Sequence, residues 1–205
     1  MTQAESVAPT RRDQRKAQRR AQLLEAGAQL IAERGFLGVR LDDLGAAVGI
    51  SGPAVYRHFP NKEALLVELL AGVSQRLLEG GSAVVASTSS AEQALSGLVD
   101  HHLDFALGEP ELIRIQDRDL DSVPGAARRE IRRTQRRYVE IWVTVLRELH
   151  PELPEQTARV QAHAAFGLIN STPHSVSTAT AVRARPVLRR MVLAALNDRA
   201  LGSSS

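Results

Sequence analysis

The chain has 205 residues and not one cysteine. That absence excludes disulfide bridges, thiolate metal centres and a cysteine nucleophile, and it suits a reducing compartment. Aromatics are scarce, with one Trp, two Tyr and four Phe, and lysine occurs only twice. No run approaches the roughly 18 consecutive apolar residues of a membrane span. The opening stretch MTQAESVAPTRRDQRKAQRR lacks the apolar segment of a signal peptide, so a cytoplasmic protein is expected. No segment alternates as a strand does and no internal repeat is present, which makes the fold class all-α. Catalytic signatures are missing too: there is no HExxH, phosphate loop or Gly-x-Ser-x-Gly. His101 and His102 are neighbours, which on a helix point about 100° apart and cannot grip one ion from the same face. No enzyme activity, metal or cofactor is expected; His102 reads as a pocket or core residue and His101 as a solvent one.

What is present begins with 43% apolar residues, enough for a substantial core. The formal net charge of +3 is unevenly placed. Residues 1 to 60 hold nine basic and six acidic side chains, and residues 61 to 205 hold seventeen of each. Six of the nine N-terminal cations fall in RRDQRKAQRR, Arg11 to Arg20, against one Asp. On an exposed arm such a run draws a polyanion by releasing its counterions; the alternative is a solvated, disordered tail. Residues 1–14 are expected to form a disordered basic arm.

Helical period then runs almost unbroken. Helix one is expected over about 15–34, stopping where Gly35 can adopt the left-handed cap and Phe36 can fold back on Ile31. A short helix spans 41–48 and ends at Gly49, and a third spans 52–59. Three short helices with a glycine turn between the second and third make a helix-turn-helix pattern.

The window ISGPAVYRHFPNKEALL, residues 50–66, gathers one of the two Tyr, one of the four Phe and one of the two Lys. Ser51 is an apt N-cap whose oxygen would serve Ala54, and Pro53 fits a first turn where its missing N–H is no loss. Val55 and Phe59, four apart, form the buried face, which leaves Gly52, Ala54, Tyr56, Arg57 and His58 pointing elsewhere. Asn61 reads as the N-cap of a long fourth helix. That places Lys62 in its first turn, where a cation opposes the helix dipole unless a phosphate sits between it and the free amides.

The segment LDDLGAAVGISGPAVYRHFPNKEALL resembles the DNA-binding signature of the TetR family of transcriptional regulators. The resemblance covers about residues 15–70. It implies a helix-turn-helix DNA-binding domain over 15–60, a six-helix ligand-binding and dimerisation domain over 61–200, a disordered tail over 201–205, and a homodimer bound to an operator in double-stranded DNA. By the same resemblance Gly52, Pro53, Ala54, Tyr56, Arg57 and His58 occupy the recognition helix behind Ser51, and Lys62 matches the family's phosphate-gripping lysine. Tyr56 and His58 would donate mostly to backbone phosphates, while Arg57 is the residue expected to read a base, guanine O6 and N7 together. Gly52 and Ala54 depart from members with longer polar side chains there, and Asp42 stands where many members are basic or polar. Arg40 is the candidate to take over that phosphate contact.

Beyond residue 60 the pattern says less. Helix four keeps Leu66, Leu69, Leu70, Val73 and Leu77 inward and is expected to close at Gly80 and Gly81, with 82–93 as the most linker-like stretch. Later helices are expected over about 91–107, 110–119, 124–150, 154–177 and 185–199, with Pro173 kinking or opening the eighth. The effector pocket is assigned to His102, Phe105, Gln116, Tyr138, Trp142, Phe166 and Asn170. Tyr138 and Trp142 lie one helical turn apart, and core packing accounts for them equally well. Arg128, Arg129, Arg132, Arg133, Arg136 and Arg137 form two cationic rows that either pair with Asp117, Asp119 and Asp121 or rim an anionic effector such as an acyl-coenzyme A. The dimer contacts are assigned to Leu168, Leu188, Met191, Val192 and Leu196, because helices eight and nine carry the family's four-helix interface. The favoured function is a repressor released by a small-molecule effector, with a long apolar or acyl ligand as the guess. The alternatives are a ligand-independent architectural DNA-binding protein, or a helical enzyme using the pocket.

Overall fold

Thr10 opens the first helix by a reciprocal box: its hydroxyl accepts from the Asp13 amide at 3.2 Å, and the Asp13 carboxylate accepts from the Thr10 amide at 3.2 Å. The computed structural model describes residues 10–175 and 180–197. Helix α1 spans Arg11–Arg34, so it starts earlier than the expected 15, and Arg11 and Arg12 ride on a helix rather than a loose arm. Residues 1–9 of the expected arm and the expected tail 201–205 lie outside the described residues. Gly35, at φ 80°, ends α1, its amide donating to Ile31 O at 2.8 Å.

Helix α2 spans Leu41–Val48 and stops at Gly49, whose φ of 70° is left-handed. Helix α3 is shorter than expected, Gly52–Val55. Tyr56, Arg57 and His58 follow as a turn, closed by the His58 and Phe59 amides both donating to Val55 O at 2.8 and 3.0 Å. The Ser51 hydroxyl makes no capping bond; the Ala54 amide goes to the Ser51 carbonyl instead, at 2.9 Å. Asn61 caps α4, Lys62–Ser87, its side-chain oxygen accepting from the Ala64 amide at 2.8 Å.

Gly80 and Gly81 do not close α4. They let neighbouring helices approach: a Cβ on Gly81 would lie 2.6 Å from Tyr138 Cε2, and one on Gly80 would collide with the His101 ring. The expected linker 82–93 is therefore mostly helix, broken only before Ser90 caps α5. Helices α5 (Ala91–Gly108), α6 (Pro110–Asp119) and α7 (Gly125–Leu149) follow, with one 3-10 turn, Leu120–Ser122, between the last two. Helix α8, Glu155–Asn170, ends before the expected kink at Pro173; a short α9, Thr172–Ser175, follows it. The last part of the expected helix eight, 176 and 177, lies outside the described residues. Helix α10 spans Ala181–Asn197 with Pro186 inside it. Among the described residues there is no strand, and no helix is long and apolar enough to cross a membrane.

Two apolar cores result. One joins α1–α4 through Leu23, Ile31, Leu44, Val55, Phe59 and Leu66, and it also takes in Leu112 and Ile115 of α6 and Ile131 of α7. The second, built on Leu98, Leu103, Trp142, Leu146, Ala162 and Ile169, fills the space among α4, α5, α7, α8 and α10. Leu77 and Phe105 pack against both cores. The small N-terminal bundle is therefore held on α6 and the start of α7, not only on α4.

Candidate nucleic-acid interface and internal cavity

Val55 and Phe59 are fully buried, and this pins the α3 turn to the bundle while Tyr56 stays 53% exposed. Arg57, Pro53 and Ser51 are exposed beside it; Gly52 and Ala54 are half-buried. Gly52 has a packing role: a Cβ there would strike the Asp42 carboxylate. His58 departs from the outward placement expected of it. It is half-buried, its Nδ1 buried without a partner, and its backbone carbonyl accepts from Arg20 Nη1. Burial, then the cations Arg20, Lys16 and Arg19, hold its pKa below the ordinary histidine value, so it is the neutral form that faces α1.

Lys62 also departs from expectation. Its ammonium lies in a cage of backbone oxygens, donating to Phe36 O at 3.0 Å, Val39 O at 3.4 Å and Leu37 O at 3.5 Å, over the Phe36 ring at 4.5 Å. Those three carbonyls use its three donors. The cation that opposes the α4 dipole is satisfied by the α1–α2 loop, without a phosphate. Arg20 is likewise committed, to both Glu68 oxygens and over the Phe59 ring, and Arg19 donates to Val48 O at 3.1 Å. In the N-terminal bundle, Arg11, Arg12, Arg15, Lys16, Arg34, Arg40 and Arg57 are exposed and make no ion pair among the described residues. The free positive charge of this bundle therefore lies at both ends of α1, at the head of α2 and on the α3 turn.

The second feature is an internal cavity of ≈ 240 Å³. Six of the residues assigned to a pocket line it: His102, Phe105, Gln116, Tyr138, Phe166 and Asn170. Trp142 does not; it is fully buried behind the wall, edge-on to Phe166 at 4.9 Å and to His102 at 6.1 Å. Ser74, Leu77, Ile113, Gln135, Val139 and His163 complete the lining and were not foreseen. Gln135 was hidden by the arginines around it, though its spacing of three and four from Tyr138 and Val139 puts it on their face.

Burial fixes the protonation inside. His102 is pushed down to about 4, desolvation outweighing its bond to Asn170. Asn170 Oδ1 can only accept, so His102 Nε2 carries the proton and donates at 3.0 Å; Nδ1 then accepts from the Tyr138 hydroxyl at 3.3 Å. Desolvation raises the Tyr138 pKa above the ordinary phenol value, so that hydroxyl stays protonated. His101, expected in solvent, is half-buried, its Nε2 3.3 Å from Leu77 O. Gln135 Nε2 donates to Gln116 Oε1 at 2.9 Å and to Ser74 Oγ at 3.4 Å, tying α7 to α6 and α4 across the cavity.

Two residues beyond Gln116, α6 grips α1. Arg118 donates to the Ile31 and Ala32 carbonyls at the end of α1, and the buried Asp119 carboxylate accepts from the Phe36 amide at 3.3 Å and pairs with Arg118 at 3.0 Å. This satisfies orphan groups at a helix terminus. Asp119 is thus not available to the α7 arginines. Arg128 pairs with Asp121 at 2.8 Å, Arg132 lies 3.8 Å from it, and Arg133 pairs with Glu130. Arg129, Arg136 and Arg137 are exposed and make no ion pair among the described residues.

The residues assigned to a dimer contact divide in two. Val192 and Leu196 are buried in the protomer's own core, and Leu168 and Leu188 are half-buried against it. Met191 is 50% exposed, flanked by Val187, and Val160 is exposed on α8. The apolar stripe of α10 is wide enough to serve two neighbours, and the turn-to-turn series 188, 192, 196 faces inward.

The model for bacterial regulatory proteins of the tetR family matches residues 23–69, and that for a tetracyclin repressor-like C-terminal domain matches residues 88–174. The HTH-type transcriptional repressor KstR2 of Mycobacterium tuberculosis is 32% identical over 138 residues, 63% of this chain and 66% of that one. The chain thus spans just under two thirds of the length of that relative. A TetR-family transcriptional regulator from Bordetella parapertussis 12822 superposes with a TM-score of 0.80 at 22% identity, covering 91% of this chain and 98% of that one. AibR, solved in complex with isovaleryl coenzyme A and operator DNA, superposes with a TM-score of 0.71 at 19% identity, covering 84% and 97%. Identities this low speak for the fold.

Proposed function

This chain belongs to the TetR family of bacterial regulatory proteins, and on that premise we propose that it is a cytoplasmic, dimeric transcriptional repressor, released from a palindromic operator when a small molecule fills the internal cavity. Residues 15–60 serve as the DNA-binding unit and residues 61–200 as the effector and dimerisation unit. It has no catalytic role. The observation that carries the reading is the α3 turn: two buried anchors, Val55 and Phe59, hold Tyr56 and an unpaired Arg57 outward next to free cations on α1 and α2. Four residues of helix cannot stand alone, so this tether is what presents them. Arg57 reads base edges; Tyr56, Arg40 and the first turns of α1 position the protein on phosphates. Two such turns in a dimer would enter successive major grooves about 34 Å apart.

Release requires that the effector favour a protomer shape with lower operator affinity. Support for a route comes from α6, which offers Gln116 to the cavity and, one turn on, Arg118 and Asp119 to the end of α1. A shift of α6 on ligand entry moves the bundle that carries the α3 turn.

The test is enrichment of duplexes from a randomised double-stranded pool by the purified chain, at low and at physiological salt. A palindromic sequence is expected to emerge, and Arg57→Ala to lose about 1–3 kcal/mol of discrimination at one position of each half-site. Lys62→Ala is expected to leave the salt slope unchanged, because its charge is spent on carbonyls; a lost phosphate contact would lower the slope by about one. No enrichment at any salt concentration would remove the DNA-binding reading.

A further inference from the structure

The cavity lining contains no Asp, Glu, Lys or Arg. Apart from the exposed His163 its polar groups are uncharged, and their hydrogen bonds can be followed one by one. The Tyr138 hydroxyl donates to His102, and His102 donates to Asn170 Oδ1, which leaves the Asn170 amide hydrogens unspent. Gln135 donates to Gln116 Oε1, which leaves the Gln116 amide hydrogens and the Gln135 carbonyl unspent. Two –NH2 groups from different helices, α6 and α8, therefore look for acceptors. Leu77, Phe105, Ile113, Val139 and Phe166 share the lining with them. The volume of ≈ 240 Å³ is below the ~300–1,000 Å³ of sites for drug-sized ligands, so the occupant is small or enters only in part.

We propose that the effector presents to this cavity an uncharged, largely apolar body bearing carbonyl or hydroxyl oxygens, and that the cavity excludes carboxylates. The inference rests on the cavity being the effector site. A ketone or ester oxygen is matched by an amide donor, and its hydrocarbon frame by the aliphatic and aromatic walls. A carboxylate brings a full charge where no Lys or Arg compensates for its lost hydration.

Trp142 is the chain's one tryptophan, and it touches Phe166, which lines the cavity. Its fluorescence therefore reports on the cavity. Full-length protein is titrated at pH 7.5 with 2-decanone and with decanoate, which share chain length and differ in charge. The ketone is expected to alter Trp142 emission saturably, with decanoate at least tenfold weaker. Asn170→Leu and Gln116→Leu, each checked for native helicity, are expected to weaken the ketone by about tenfold apiece, the loss that follows from leaving one polar group unmatched. Decanoate binding as tightly as the ketone, neither probe binding, or ketone affinity unchanged in both variants would overturn the assignment. Duplex retention by the same preparation without probe is scored separately. Its loss would sink the regulatory reading and leave the ketone-to-carboxylate preference intact.

Discussion

His102 sits with both ring nitrogens engaged and its pKa pressed down to about 4 by burial. The sign of its effect on stability follows. Above the ordinary value of 6.5 the ring is neutral whether the chain is folded or not. As pH falls below 6.5 the unfolded chain takes up a proton that the folded chain refuses until about pH 4, so stability present at neutral pH is lost across that interval. The full loss is about 3 kcal/mol, at up to about 1.4 kcal/mol per pH unit. Urea unfolding at pH 7.5, 6, 5 and 4.5 is expected to show a steeper decline for the native chain than for His102→Gln, which has no ring to protonate. Parallel declines would mean that the ring is solvated. The place of His102 was visible in the sequence, since it shares a helix face with Leu98 and Phe105. The role of Lys62 was not: the carbonyls that hold it belong to Phe36, Leu37 and Val39, more than twenty residues away, and local charge logic had no access to them.

The bounds of α2 and α6 follow from their capping residues and apolar period, and the structure returns the same residues, 41–48 and 110–119. Where the element reading failed, a tertiary neighbour decided. Glycines at 80 and 81 carry the signature of a helix end, yet the rings of His101 and Tyr138 occupy the space that side chains there would fill. The same limit hides what α6 does at its last turn. Its sequence shows an amphipathic helix; only packing shows that Asp119 caps the Phe36 amide beside α1. Asp119→Ala is expected to leave that amide buried without an acceptor, a cost of about 1–3 kcal/mol, and hence to lower the thermal midpoint by roughly 2–4 °C for each kcal/mol in a chain of this size. Amide exchange should quicken at Gly35 and Phe36 before it does in α7. A midpoint within about 1 °C of the parent would show that Asp119 is not what holds the end of α1. Operator affinity in the same variant should become less responsive to any effector that fills the cavity, because one of the contacts by which α6 holds α1 has been removed.

At the scale of the molecule, the question is which apolar surface is left over once both cores are closed. A period of 3.6 tells that one side of α10 is apolar, but not how many partners that side meets. The structure divides it: Val192 and Leu196 belong to the protomer, whereas Val187 and Met191 face outward, on the molecule that also exposes Val160 of α8. The proposed dimer is built on that remainder. Met191→Glu places a charge on the outward series and is expected to weaken association at least about tenfold, the equivalent of 1.4 kcal/mol, while circular dichroism stays native. Val192→Glu places the same charge inside the core and is expected to unfold the protomer. Sedimentation equilibrium distinguishes the two. Because a palindrome is engaged by two tethered turns, the monomeric Met191→Glu form should also bind a full operator no better than a single half-site, the avidity having been lost without any change at the α3 turn. If Met191→Glu sediments as the parent does and keeps the affinity gap between full and half operator, the protomers meet on a different face.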